Sequence, residues 1–166
     1  MGADKDYDLA ILELEKPYPK KFAISFENFA DPIVGEDVIC IGYPGIGMGF
    51  ERPMITQGIV SKVWDDNIGR FFTTAAINAG NSGGPIFNLN AELVGISYAS
   101  INKAAWLEDY NIEVTDLGFA IKSKKIGEIF KYKKSVPVKK ASYNKSSIYE
   151  KMLPRVVYIH VLKDEG

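Results

Sequence analysis

The sequence holds one cysteine and one histidine in 166 residues, and each scarcity excludes something. A single Cys40 cannot build an internal disulfide framework. Its apolar setting, Val38-Ile39-Cys40-Ile41, reads as that of a small buried hydrophobe, with thiol reactivity as the alternative. A single His160 with scattered acidic residues makes no metal site. No phosphate loop or cofactor motif occurs, so no cofactor is expected. Excess charge is lacking as well: 20 basic against 21 acidic residues leave a net charge of −1, which removes the electrostatic case for nucleic acid or an anionic membrane surface. No apolar run is long enough to span a bilayer, and no signal peptide is read at Met1.

What is present is an ordinary globular composition, 46% hydrophobic and 25% charged, in a chain long enough to bury roughly 70% of its unfolded surface. Short runs rich in Ile, Val, Phe and Thr predict strands at Leu9 to Leu14, Asp37 to Tyr43, Met54 to Val63, Arg70 to Ala76 and Glu92 to Ala99. Turn residues separate them, among them Tyr43-Pro44-Gly45, Asp65-Asp66-Asn67 and Asn88-Leu89-Asn90. Such punctuation predicts an all-β sandwich or barrel. One helix is predicted after Ser123, a candidate N-cap, because Ile126, Ile129 and Phe130 recur at helical spacing. From Lys131 to Lys151 the composition turns to Lys, Ser, Tyr and Asn and reads as a linker or surface tail. Val156 to Val161 reads as a last strand.

The chemistry concentrates at Gly80-Asn81-Ser82-Gly83-Gly84-Pro85. Three glycines in five residues let the backbone adopt positive φ and approach a ligand closely. A serine at the tip of such a turn, with neighbouring N–H groups converging on one point, has the geometry of an oxyanion hole. The plain alternative is a glycine-rich turn between two strands, and the turn alone does not decide between them.

Other segments, in order, do. The run Gly80 to Pro85, preceded by Ala75-Ala76-Ile77-Asn78 and followed by Leu93-Val94-Gly95-Ile96, resembles the nucleophile region of trypsin-like serine proteases, and the HtrA-like branch in particular. Asp6-Tyr7-Asp8-Leu9-Ala10-Ile11-Leu12 looks like that branch's triad-aspartate strand. Ile41-Gly42-Tyr43-Pro44 and Ile55 to Ser61 are similar to the strands that open its C-terminal barrel. Leu117-Gly118-Phe119-Ala120-Ile121 resembles the strand that closes it. The resemblance implies a six-stranded barrel from about Ile33 to Ile121, with Ser82 as nucleophile, backbone N–H groups of Gly80 and Ser82 as oxyanion hole, and Asp8 orienting a base histidine. A strand-initial aspartate that caps a turn is the other reading of Asp8. Asn81, where many trypsins carry an aspartate, argues against activation by a new N-terminus. Ala76 at the base of the primary pocket, with Ile77 and Ser97 beside it, implies small or medium apolar side chains in the substrate; Ile77 and the Ile96 to Ala99 run read equally well as core.

The base histidine is the gap. In this family it precedes the aspartate, yet none of residues 1–7 is histidine. Serine without a base is a weak nucleophile, and loss of one triad member costs about 10⁶ in turnover, so these residues alone are expected to be inactive. His160 sits in Leu153 to Leu162, a run that resembles the first strand of an HtrA-like domain and not the histidine segment. The ends thus read out of order, as a segment of tandem protease-like domains or as a first strand moved to the C-terminus. The expected organisation is residues 1–32 as the last part of an N-terminal barrel with the connection, 33–133 as the C-terminal barrel and its helix, 134–150 as a polar linker, and 151–166 as the strand-like tail. A half-open cleft and an unpaired strand predict self-association or strand swapping through that tail; a disordered tail is the alternative. The expected partner is a polypeptide substrate or peptide ligand, in an extracytoplasmic setting by resemblance. A non-catalytic protease-like module that binds peptides or serves assembly is the competing function, and an unrelated β-barrel binding protein a third.

Overall fold

The computed structural model describes residues 2–4, 9–25, 28–44, 52–65, 67, 69–100, 117–129 and 141–159. A two-stranded antiparallel ribbon comes first, β1 (Gly2–Asp4) against β2 (Leu9–Ile11). Six strands then close into a barrel: β3 (Asp37–Gly42), β4 (Met54–Val63), β5 (Arg70–Thr73), β6 (Pro85–Asn88), β7 (Leu93–Ser100) and β8 (Gly118–Lys122). Their order around the barrel is β3-β4-β5-β8-β7-β6, every neighbour antiparallel. Closure leaves no unpaired barrel edge to recruit other chains.

β3 explains why its sequence is continuously apolar instead of alternating. Val38 and Cys40 belong to one buried cluster with Val60, Phe71, Ile86 and Val94. Ile39 and Ile41, on the opposite face by the two-residue period of a strand, belong to a second cluster with Phe87 and Leu93. From Val38 to Ile41 the strand is buried on both faces, which leaves its one polar residue, Asp37, at the exposed start. The lid on that second cluster is a helix that composition had assigned to a linker. α1 (Ser123–Ile129) follows β8 as predicted, but α2 (Lys145–Met152) also forms, so the described residues hold two α-helices where sequence predicts one. Asn144 accepts a 2.8 Å hydrogen bond from Ser147 N and so caps α2. Ile148 and Met152, four residues apart, drop into the Ile39–Ile41–Phe87 cluster.

The tail differs from the strand expected over 151–166. Lys151 and Met152 finish α2, Leu153–Arg155 turn once more as a 3-10 helix around Pro154, Val156 is extended, and 156–159 belong to no strand. His160 and the rest of the tail lie outside the described residues, as do 131–140 of the expected linker. Ser123 is itself the first residue of α1, and its buried hydroxyl donates to Leu93 O at 2.6 Å, with Ala30 O at 3.2 Å, tying the start of α1 to β7. The sequence reading also lacked β6, four residues opening on proline directly after the serine turn.

Candidate active site

The turn that carries Ser82 is held from three sides. Asn81 N–H donates to Asn78 O (2.9 Å) and Gly84 N–H to Asn81 O (2.8 Å), closing the turn on itself. Tyr43 N–H, at the end of β3, donates to Gly80 O (3.2 Å). From β7, Ser97 accepts from Gly83 N–H at 2.7 Å and donates its own N–H to Gly84 O at 2.8 Å. Gly80 and Gly83 take φ of 96° and 83°, conformations that cost an L side chain energy. At Gly80 space is also exhausted: a Cβ there would lie 2.4 Å from Tyr43 O.

Asn81 is the buried foot of the turn and Ser82 its exposed tip. The Asn81 amide donates to Ala76 O (3.3 Å), an oxygen that also accepts from Thr56 Oγ1 (2.9 Å). Among the described residues its buried Oδ1 has no partner; it is packed where a Cβ on Gly42 would come within 2.5 Å. Neutral Asn is thus tolerated in a pocket that would penalise an unpaired carboxylate. Among the described residues, the amides of Gly80 and Ser82 have no backbone acceptor. Two donors flanking an exposed hydroxyl are left available to a ligand oxygen.

Ser82, Gly83 and Ser97 border a cavity of about 1070 Å³ whose other walls include residues 9–14, Tyr98 and Val157 to Ile159. Its walls are mostly apolar, and Leu12, Leu14 and Tyr98 on them are 50%, 59% and 41% exposed. Tyr158 reaches the Tyr43 ring at 5.9 Å, so the C-terminal segment runs past the serine turn. Of the residues singled out by sequence, the structure brings Ser82, Gly80 and Ser97 together, with Ala76 one hydrogen bond away through Asn81. Ile77 is 5% exposed and sits in the barrel core under Gly118. Asp8 lies outside the described residues; Leu9, next in sequence, lines the cavity. What sequence did not single out is Tyr43 and Thr56 as supports of the turn. Backbone donors and short hydroxyls carry no spacing signal.

The family model of the trypsin-like peptidase domain matches residues 1–96. The chain belongs to this family. Its relatives in sequence include the serine protease Do-like HtrA of Bacillus subtilis (strain 168), 37% identical over 139 residues, which cover 78% of this chain and 28% of that protein. The probable periplasmic serine endoprotease DegP-like of Rickettsia prowazekii (strain Madrid E) is 40% identical over 107 residues, 60% of this chain and 20% of that protein. In structure, the serine endoprotease from Yersinia pestis is similar with a TM-score of 0.46 at 32% identity, over 61% of this chain and 32% of that one. The chain therefore spans less than a third of each of these trypsin-like relatives. Among the described residues no helix is long and apolar enough to cross a membrane.

Proposed function

We propose that this chain is the nucleophile-bearing barrel of an HtrA-type serine endopeptidase. Ser82 Oγ attacks the scissile carbonyl, the N–H groups of Gly80 and Ser82 hold the resulting oxyanion, and Asp8 orients the histidine that takes the serine proton. That histidine comes from outside these 166 residues, and without it they do not turn over substrate. The observation that carries the reading is the exposed Ser82 between two positive-φ glycines, with the Gly80 and Ser82 amides left unclaimed. A module that only bound peptides would have no use for a serine held between two free donors.

The substrate class follows from the same region. Ala76 offers no counter-ion for Lys or Arg, and the cavity beside Ser82 is mostly apolar. The peptide bonds cleaved follow small or medium apolar side chains in exposed polypeptide. The relatives' names place some of them in the periplasm, which supports an extracytoplasmic setting here. The test is hydrolysis of an unfolded protein such as casein by the natural full-length gene product. Activity lost in Ser82→Ala supports the reading; equal turnover by wild type and Ser82→Ala, or none by either, favours the non-catalytic module.

A further inference from the structure

Ser97, on β7, borders the cavity beside Ser82 and is 1% exposed. Its hydroxyl points back at the serine turn. Ser97 Oγ–H donates to Asn81 O, with Gly84 O at 3.1 Å. A hydroxyl has one proton to give, and Asn81 O is the nearer of the two acceptors. Asn81 O also accepts from Gly84 N–H, which fills both lone pairs and pins the carbonyl inward. Cys40, on β3, makes no competing claim on that hydroxyl as a thiolate: burial pushes its thiol up to about 12, and the Ser97 side chain pulls it back only in part, so it keeps its proton.

The consequence lies on the other end of the same peptide. Asn81 C=O and Ser82 N–H belong to one planar trans unit, in which carbonyl and amide point in opposite directions. Holding the carbonyl inward aims the Ser82 N–H outward to the cleft. We propose that Ser97 is a positioning residue that sets the direction of the Ser82 oxyanion donor by anchoring the Asn81 carbonyl. The inference rests on the protease reading of Ser82, and it deepens that reading by naming what aligns the donor.

Two variants and two readouts test it. Ser97→Ala removes the hydroxyl without adding bulk, and Ser97→Thr keeps it. In this chain, amide hydrogen exchange and amide shifts report the turn with no catalysis required. Ser97→Ala is expected to move the Ser82 and Gly83 signals and to speed Gly83 exchange roughly tenfold, a net hydrogen bond's worth. The amides of Gly35 and Gly58, elsewhere on the barrel, should stay as they are, and Ser97→Thr should restore the wild-type pattern. Unchanged turn amides in Ser97→Ala, or equal change at Gly35 and Gly58, or the same loss in both variants, overturns the proposal. In the full-length enzyme, Ser97→Ala should lower kcat by about tenfold with KM little changed, the sign of a donor used in the transition state. An unchanged kcat beside altered amides removes the catalytic part. No turnover even by wild type counts against the protease reading, while the amide readout still decides whether Ser97 anchors the turn.

Discussion

Gly80 stands at a crossing of two constraints, a positive φ and a carbonyl 2.4 Å from where its Cβ would be. Each penalty is of order 1–3 kcal/mol. Gly80→Ala is therefore expected to lower unfolding stability by at least about 2 kcal/mol, read as a shift in urea midpoint at constant slope. Ile77 makes the opposite point about single residues. Its position beside Ala76 suggested a pocket wall, but its side chain fills the barrel. Ile77→Ala should cost about 2–5 kcal/mol in a melting experiment, as a core truncation does. Cys40 gives a pH signature. Its folded pKa is raised by burial from 9.0 to about 12, so the unfolded chain loses this proton first as pH climbs. The contribution is complete below pH 9, and stability falls between about pH 9 and 12, by up to about 1.4 kcal/mol per pH unit. Cys40→Val should flatten that part of the wild-type curve relative to itself at pH 7; identical slopes for the two proteins would refute the buried-thiol account.

At the scale of elements, what sequence made legible was set by how each one is stabilised. β3 and β7 carry their own signal because the burial that defines them also fixes their residue types. Leu9–Ile11, Asp37–Gly42 and Met54–Val63 lie inside the ranges that sequence predicts. β6 and α2 do not announce themselves. Pro85–Asn88 is four residues long and opens with a residue that cannot donate to a ladder. α2 has just two residues in the core, Ile148 and Met152, within a run of Lys, Ser, Tyr and Glu, so its amphipathic pattern is too short to stand out against a linker. Tertiary contact supplies what local pattern lacks. Two substitutions check this: Asn144→Ala should cost about 1 kcal/mol through the lost cap, and Ile148→Ala about 2–5 kcal/mol through the cavity under Ile39 and Ile41. Helical circular dichroism that persists at unchanged stability in Ile148→Ala would mean that α2 is not held by the barrel.

Over the whole molecule, family membership and barrel architecture were readable because ordered short segments, spread from Asp6 to Ile121, resemble one fold. Of the candidate site, the serine turn was legible in sequence and its supports much less so. Thr56, Tyr43 and the anchoring role of Ser97 act through hydrogen bonds made by the fold, and no spacing in the sequence encodes them. The cavity beside Ser82 keeps apolar side chains in solvent, Leu12 and Leu14 among them, and exposed patches of this kind favour association. Sedimentation velocity on this chain is expected to show concentration-dependent association that Leu12→Lys with Leu14→Glu reduces. The central claim is that Ser82 is a nucleophile that works only when a histidine from beyond these residues reaches it. Its most direct test is treatment of the natural full-length product with a fluorophosphonate, followed by peptide mass spectrometry, alongside the same treatment of residues 1–166. The account predicts a single adduct on Ser82 in the full-length protein, lost in Ser82→Ala, and none in the isolated chain. No adduct in the folded full-length protein, or an adduct on a different serine, would contradict it.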